Sequence, residues 1–244
     1  MDHPSLFERT HILIGDEGIE RLQQSHVFLA GIGGVGSFTA EALARMGVGT
    51  LTLVDHDVVS ASNINRQLIA LNSTVGISKA EVMAARIMDI NPDCTVNIIK
   101  EFLTPENIPT LLEQPFDAVI DAIDSMSSKT TLIETAWKNN MPIFASMGAG
   151  GKVDPTQIRT GDMMDTSICK LAKQLRGHLR RRGVGRGVQT VFSLEPPLPP
   201  LPPESVGRGR PRAVNGTMSY MPSLFGLTLA GMVTNHIIGD ARRV

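Results

Sequence analysis

The chain has 244 residues, 42% hydrophobic and 19% charged, with a formal net charge of −1. That is enough apolar material for one large core, or a core with an added lobe, and it excludes a disordered chain. Two cysteines, Cys94 and Cys169, are too few for a disulfide framework or a four-cysteine zinc site, and the near-neutral balance gives no global sign of a polyanion partner.

The N-terminal MDHPSLFERTH has no basic region followed by an apolar one, so no secretory signal is expected and the cytoplasm is the default location. Residues 5–24 read as one or two short helices, interrupted at Gly15 and Gly18. The first strand, 26–31, contains the apolar run Val27–Ala30 of a buried parallel strand. GIGGVG follows, with Gly31, Gly33 and Gly36 in a G-x-G-x-x-G spacing. Such glycines give a tight turn, let a phosphate approach the backbone, and bring helix close to strand. The next helix, about 34–46, points its free N–H groups and positive dipole end at an anion. The second strand, 50–55, ends at Asp55, placed to bind ribose hydroxyls. Residues 56–66 are a polar loop. A helix over 78–90 carries an apolar stripe of Val82, Met83, Ile87 and Ile90, and Pro92 stops it.

A third strand is predicted at 96–102, a short helix at 105–112, a fourth strand at 116–121, a helix at 127–139 and a fifth strand at 142–146. This alternation predicts an α/β fold, a Rossmann-like mostly parallel sheet with helices on both faces. Ligands then bind beyond the carboxyl ends of the strands, where Gly31, Asp55 and Asp121–Asp124 converge. The chain reads as one domain: a nucleotide-binding core over 1–150 and a C-terminal elaboration over 151–244. The elaboration holds a glycine-rich crossing with a possible strand, a basic helix at 166–182, a strand at 188–194 and a proline-rich extended segment at 196–205. A further possible strand and an apolar helix end it. That helix, 221–239, has no Asp, Glu, Lys or Arg, but its glycines, Asn235 and His236 favour a buried core helix over a membrane span.

The glycine motif with Asp55 fits a dinucleotide as well as ATP. Arg66 after the second strand, Lys79 at a helix start and Asp124 after the fourth strand favour ATP. A triphosphate needs cations on its oxygens and leaving group, and a carboxylate can hold magnesium. A hydride-transfer site needs neither, and G-x-x-x-x-G-K-[ST] is absent.

GIGGVGS, LVDHD, NINRQ, the helix lysine and DAID together resemble the ubiquitin-activating superfamily of adenylyltransferases over residues 10–150. The resemblance implies a dimer that binds ATP and magnesium and adenylates a carboxylate. By that resemblance Asp55 binds ribose, Arg66 and Lys79 bind the phosphates and act in catalysis with Asp124, and Asp124 holds the metal. Gly33, Gly34 and Gly36 shape the phosphate loop, and Asp57, Asn63, Asn65 and Gln67 complete the nucleotide site.

AEALARMGVG, KAEVMAARIMDINP, DAIDSMSSK, GAGGKVDPTQI and VFSLEPP resemble the branch that dehydrates threonylcarbamoyladenosine in tRNA. What this implies is activation of the threonyl carboxylate by ATP and intramolecular capture to a cyclic product. The alternative is a relative that activates the Gly-Gly end of a ubiquitin-like or sulfur-carrier protein. Such relatives mostly carry paired CxxC zinc ligands. No CxxC occurs in this chain, so no zinc is expected, and internal capture needs no thiol. Arg180, Arg181, Arg182 and Arg186, and the later Arg208, Arg210 and Arg212, read as phosphate-contacting segments for tRNA. Relatives often carry an arginine near Ile12 that reaches the partner's ATP. Arg9 lies close to that place, offset.

Overall fold

The computed structural model describes residues 6–201 and 215–241, so Arg208, Arg210 and Arg212 lie outside the described residues. Helix α1 (Glu8–Gln24) is kinked at Gly15, whose φ of 68° and ψ of −174° leave the helical region. Then follow β1 (His26–Ala30), α2 (Gly36–Met46), β2 (Thr50–Val54), α3 (Lys79–Ile90), β3 (Thr95–Ile99), α4 (Ile108–Leu111), β4 (Ala118–Asp121), α5 (Met126–Lys138) and β5 (Ile143–Ser146). The second half adds β6 (Ile158–Asp162), α6 (Lys170–Arg181), β7 (Val188–Ser193) and α7 (Tyr220–Ile238).

The seven strands form one sheet in the order β3-β2-β1-β4-β5-β7-β6. Six are parallel, and β6 closes one edge antiparallel to β7. The α/β expectation holds. The apolar run of β1 serves both faces. Val27 and Leu29 join the core under α1, α2, α3 and α7, whereas Phe28 and Ala30 join the core under α4, α5 and α6. The strand order reverses between β1 and β4, which opens a crevice above their carboxyl ends.

Several expected boundaries shift, each for a local reason. The third strand ends at Ile99 rather than Phe102, because β2, its only ladder partner, ends at Val54. The chain beyond it is released toward the crevice. The basic helix begins at Lys170 rather than Thr166, since Ile168 has a φ of 62° and cannot continue a right-handed helix. The expected terminal strand has no counterpart at 215–219.

The apolar C-terminal helix packs inside the fold. Gly226 lets α7 approach α2 so closely that a Cβ there would lie 2.3 Å from the Val35 carbonyl oxygen, and Thr39 Oγ1 donates to the Gly226 carbonyl at 3.0 Å. Met221, Phe225, Leu229 and Val233 are fully buried in the same core as Val27 and Leu29. So α7, long and apolar enough to cross a membrane, buries half of its length here against protein.

At Gly36 the helix–strand contact is tighter still. A Cβ would lie 1.8 Å from the Gly31 carbonyl oxygen, a backbone atom that cannot swing aside. Gly36→Ala is expected to cost at least about 1–3 kcal/mol, lowering the melting temperature by several degrees. Thermal melting checks this, and a shift under about one degree would mean that the loop yields freely.

Candidate active site

The crevice at the strand-order reversal is a cleft of about 340 Å³. Its walls are built by the carboxyl ends of three parallel strands. The loop after β1 contributes Gly31, Gly33 and Gly34, and the loop after β2 contributes Asp55, His56 and Asp57. The loop after β4 brings Ala122, Ile123, Asp124, Ser125 and, one turn into α5, Ser128. Arg66, Gln67 and Lys79 close the cleft from the 56–79 segment.

Each glycine has its own cause. Gly31 sits at φ 89°, and a side chain there would strike the Ala122 backbone at 2.8 Å. Gly33 meets nothing closer than 3.8 Å, so its backbone lies open on the cleft side. The amides that follow precede the first turn of α2, where helical N–H groups lack intrahelical acceptors and favour an anion.

Asp55 is buried, and its Oδ2 accepts from the Ile32 amide at 2.7 Å while Oδ1 accepts from the Asp57 amide at 2.9 Å. These bonds fix its carboxylate at the floor beside the glycine turn. Lys79 is 6% exposed, although a lysine at a helix start is ordinarily a surface group. Residues 57–59 and 76–79 run side by side, with Val58 bridged to Ser78, so the first residue of α3 points inward. Its Nζ donates to Asp57 Oδ2 at 2.7 Å. Arg66 is half-buried, its Nη1 donating to the Ser62 carbonyl at 2.8 Å and to Asn65 Oδ1 at 2.9 Å.

Nine of the expected residues meet in this cleft: Gly31, Gly33, Gly34, Asp55, Asp57, Arg66, Gln67, Lys79 and Asp124. Gly36 lies beneath it, against Gly31. Asn63 and Asn65 do not line it. Asn63 is buried in a capping box with Ser60, and Asn65 braces Arg66 while donating to the Thr217 carbonyl at 3.2 Å. The NINRQ asparagines therefore shape the loop that presents Arg66 and Gln67. Gln67 Oε1 is buried without a hydrogen-bond partner among the described residues.

Some of the lining was not foreseen. Glu101 and Phe102 arrive because β3 stops at Ile99, and Phe102 packs edge-on against His56 with ring centroids 4.8 Å apart. The rule that ligands sit beyond strand carboxyl ends could have found them. Thr217 and Pro222 come from the far end of the chain, Pro222 lying over Gly34, and no local signal pointed to them.

Below the cleft, Asp121 and Lys129 form a fully buried ion pair, and Lys129 Nζ also donates to the Ser146 carbonyl at 3.0 Å. Burial pushes the Asp121 carboxyl above its ordinary value, against the pull of Lys129. The pair ties the end of β4 to the end of β5, under the loop that carries Asp124.

A glycine turn leading to a helix N-terminus, a fixed carboxylate beyond β2, and cations with an acidic group across the crevice define a nucleotide-binding α/β protein equipped for a triphosphate. Residues 7–243 match the ThiF family, and the chain belongs to it. It is 42% identical over 241 residues to the tRNA threonylcarbamoyladenosine dehydratase of Bacillus subtilis, covering 96% of this chain and 95% of that relative. The crystal structure of the Escherichia coli tRNA N6-threonylcarbamoyladenosine dehydratase in complex with ATP superposes with a TM-score of 0.87 at 38% identity, covering 96% of this chain and 94% of that one. The same enzyme in complex with AMP gives a TM-score of 0.86 at 39% identity over the same shares.

Proposed function

We propose that this protein uses ATP to dehydrate N6-threonylcarbamoyladenosine in tRNA to a cyclic form. The observation that carries the reading is the convergence of the glycine loop, Asp55, Arg66, Lys79 and Asp124 on one cleft, in a chain similar along nearly its whole length to such a dehydratase. The threonyl carboxylate attacks the α-phosphorus of ATP, a P–O bond forms and pyrophosphate leaves. A nucleophilic atom of the same modified residue then attacks the acyl carbon, and AMP departs with one carboxylate oxygen. The nucleoside loses one water in mass, and no enzyme thiol is needed.

In this reading the glycine loop and the N-terminal end of α2 hold phosphates, and Asp55, fixed by two backbone amides, meets the ribose. Lys79 and Arg66 offset the charge that develops as pyrophosphate leaves. Magnesium fits the donors present: the acidic groups at the cleft are the carboxylates of Asp55, Asp57, Glu101 and Asp124, hard oxygen ligands of the kind that Mg²⁺ takes together with phosphate oxygens. The resemblance of DAID to the adenylyltransferases gives the ion to Asp124, which lines the same cleft. When bound, it neutralises phosphate charge.

The second reading, activation of a protein ending in Gly-Gly, is disfavoured where it would relay the acyl group to a thiol. Cys94 and Cys169 are both buried, and burial pushes the Cys94 thiol up to about 11, despite a hydrogen bond at Leu51. We further infer a homodimer acting in the cytoplasm. Exposed apolar side chains recur at Ile12 and Leu13 of α1 and at Ile64, Leu71, Val75 and Ile77 beside the cleft segment. Arg9, exposed on α1, is the cation that a partner copy would offer.

The test is to mix the protein with ATP, magnesium and threonylcarbamoylated tRNA whose threonyl carboxylate carries heavy oxygen. Label should emerge in AMP as the nucleoside loses one water in mass. ATP turnover without that mass loss would refute the dehydratase reading, and ATP–pyrophosphate exchange dependent on a Gly-Gly protein would establish the second. Asp124→Asn is expected to raise the magnesium concentration for half-maximal rate about tenfold or more, since a carboxylate ligand is lost. A magnesium titration of the rate checks it.

A further inference from the structure

The arginine-rich stretch around α6 divides into two sets. Arg182 Nη1 is held by Glu134 Oε2 at 2.7 Å and Thr131 Oγ1 at 3.3 Å, both on α5. Arg186 makes two parallel bonds to Asp165, at 2.8 and 2.6 Å. These two arginines, expected from the sequence to contact phosphate, brace α6 and its following turn against the body of the protein.

Lys170, Lys173, Arg180 and Arg181 form the other set. All four are exposed, and none makes an ion pair with another described residue. Their spacing, together with Gly177, is i, i+3, i+7, i+10 and i+11, which places them on one face of the helix. The opposite face carries Ala172, Leu175 and Leu179, all fully buried. At Gly177 the nearest atom to an added Cβ would be Arg181 Nη1 at 3.9 Å, so the Arg181 guanidinium lies beside this side-chain-free position in the middle of the stripe. Arg180 and Arg181 complement the dipole at the C-terminal end. Lys170 and Lys173, near the N-terminal end and with no acidic residue in the first turn, are opposed by it. Helix stability therefore does not explain them.

The N-terminal end of α6 lies close to a wall of the cleft. Leu171 packs 3.9 Å from where a Gly148 side chain would begin, and the next residues, Ala149 and Gly150, line the cleft. From there α6 runs back past the sheet toward the start of β7, a distance of about 18 Å for a helix of this length.

We propose that this face of α6 is the track on which the tRNA backbone lies, with Lys170, Lys173, Arg180 and Arg181 on phosphates and Gly177 giving the chain close approach. The proposal rests on the tRNA reading above and goes beyond it, by assigning the contact to two lysines and by removing Arg182 and Arg186 from it. A run of four cations flanked by no acidic residue on its face suits a continuous polyanion.

The experiment measures binding of threonylcarbamoylated tRNA over a salt series, with ATP affinity and dehydration followed in parallel, for the full chain and for a variant with all four residues changed to Glu. The slope of log affinity against log salt should become shallower by roughly 3–4, at ~0.7–0.9 for each of four phosphate contacts. Affinity near physiological salt should fall on the order of 100-fold, with ATP affinity unchanged. Arg182→Gln and Arg186→Gln should leave the slope alone and lower the melting temperature. An unchanged slope in the fourfold variant, with ATP binding intact, overturns the proposal while dehydration by the unsubstituted protein keeps the function standing. Failure of the unsubstituted protein to dehydrate strikes the function itself. Should charge reversal disturb folding, the four single Gln variants decide: each loses ~0.7–0.9 of slope if the track is right, and none does if it is wrong.

Discussion

Lys79→Ala is expected to reduce turnover by about 10²–10³-fold, the scale on which a positioned transition-state donor acts in a water-poor site. Lys79 lines the cleft together with the glycine loop and donates to Asp57. In the proposed reaction its removal would withdraw a positive charge from the leaving pyrophosphate and leave the Asp57 carboxylate facing that charge. Stability should fall too. As a surface lysine it would be nearly silent in folding, but Lys79 is buried and paired. Asp57 is about half exposed, with 48% of its side chain accessible, so water screens much of the pair. The expected cost is about 1–2 kcal/mol, a fall of a few degrees in melting temperature. Asp57→Asn separates the two effects, because it breaks the same pair but keeps the ammonium group. It should share the loss of stability and retain most of the turnover. Pyrophosphate release and thermal melting read both. If Lys79→Ala turned over within threefold of the unsubstituted protein, Lys79 would have no part in the chemistry.

Lys129→Met is expected to give the largest loss of stability, about 3–5 kcal/mol at pH 8, or on the order of ten degrees in melting temperature. Lys129 is 1% exposed and Asp121 is 0% exposed, so the change strands a carboxylate with no water to reach it. Burial already pushes the Asp121 carboxyl up even with its partner present, and without Lys129 the long hydrogen bond from the Ile123 amide is what remains to oppose that push. The sign of the pH dependence follows. A carboxyl whose folded value is raised contributes fully to stability below its unfolded value, and that contribution is lost as pH rises through the folded value. The deficit of the variant should therefore shrink as pH falls from 8 to 5. Asp121→Asn added to Lys129→Met should recover much of it, since an amide carries no charge to strand. A deficit equal at both pH values would instead indicate lost packing of the lysine stem. Because the pair lies under the β4–α5 loop, the variant should also weaken the magnesium dependence assigned to Asp124.

The two residues illustrate how far one-dimensional reading reaches. Lys79 was legible as functional from its place after LVDHD and NINRQ, but its burial was not. That burial arises from the pairing of Val58 with Ser78, a contact across a 19-residue loop. Lys129 was visible only as a lysine after DAID. It reads as an ordinary solvated group until β5 brings the Ser146 carbonyl to it and α5 seals it against β4. Asn63 and Asn65 show the reverse. Their polar motif reads as ligand-binding, yet they spend their hydrogen bonds on the loop and on Arg66.

By itself the sequence determined the α/β class, the glycine turn with its helix, and the acids at the ends of β2 and β4. Those signals are local: apolar runs, glycine spacing and strand ends within a few residues of one another. Only the tertiary structure decided that β7 inserts between β5 and β6, that α7 returns to cover the glycine loop with Pro222, and that Arg182 and Arg186 are tied down while Arg180 and Arg181 stay exposed. Each of these depends on contacts between residues far apart in the chain, where burial and hydrogen-bond satisfaction, rather than local propensity, choose the partner.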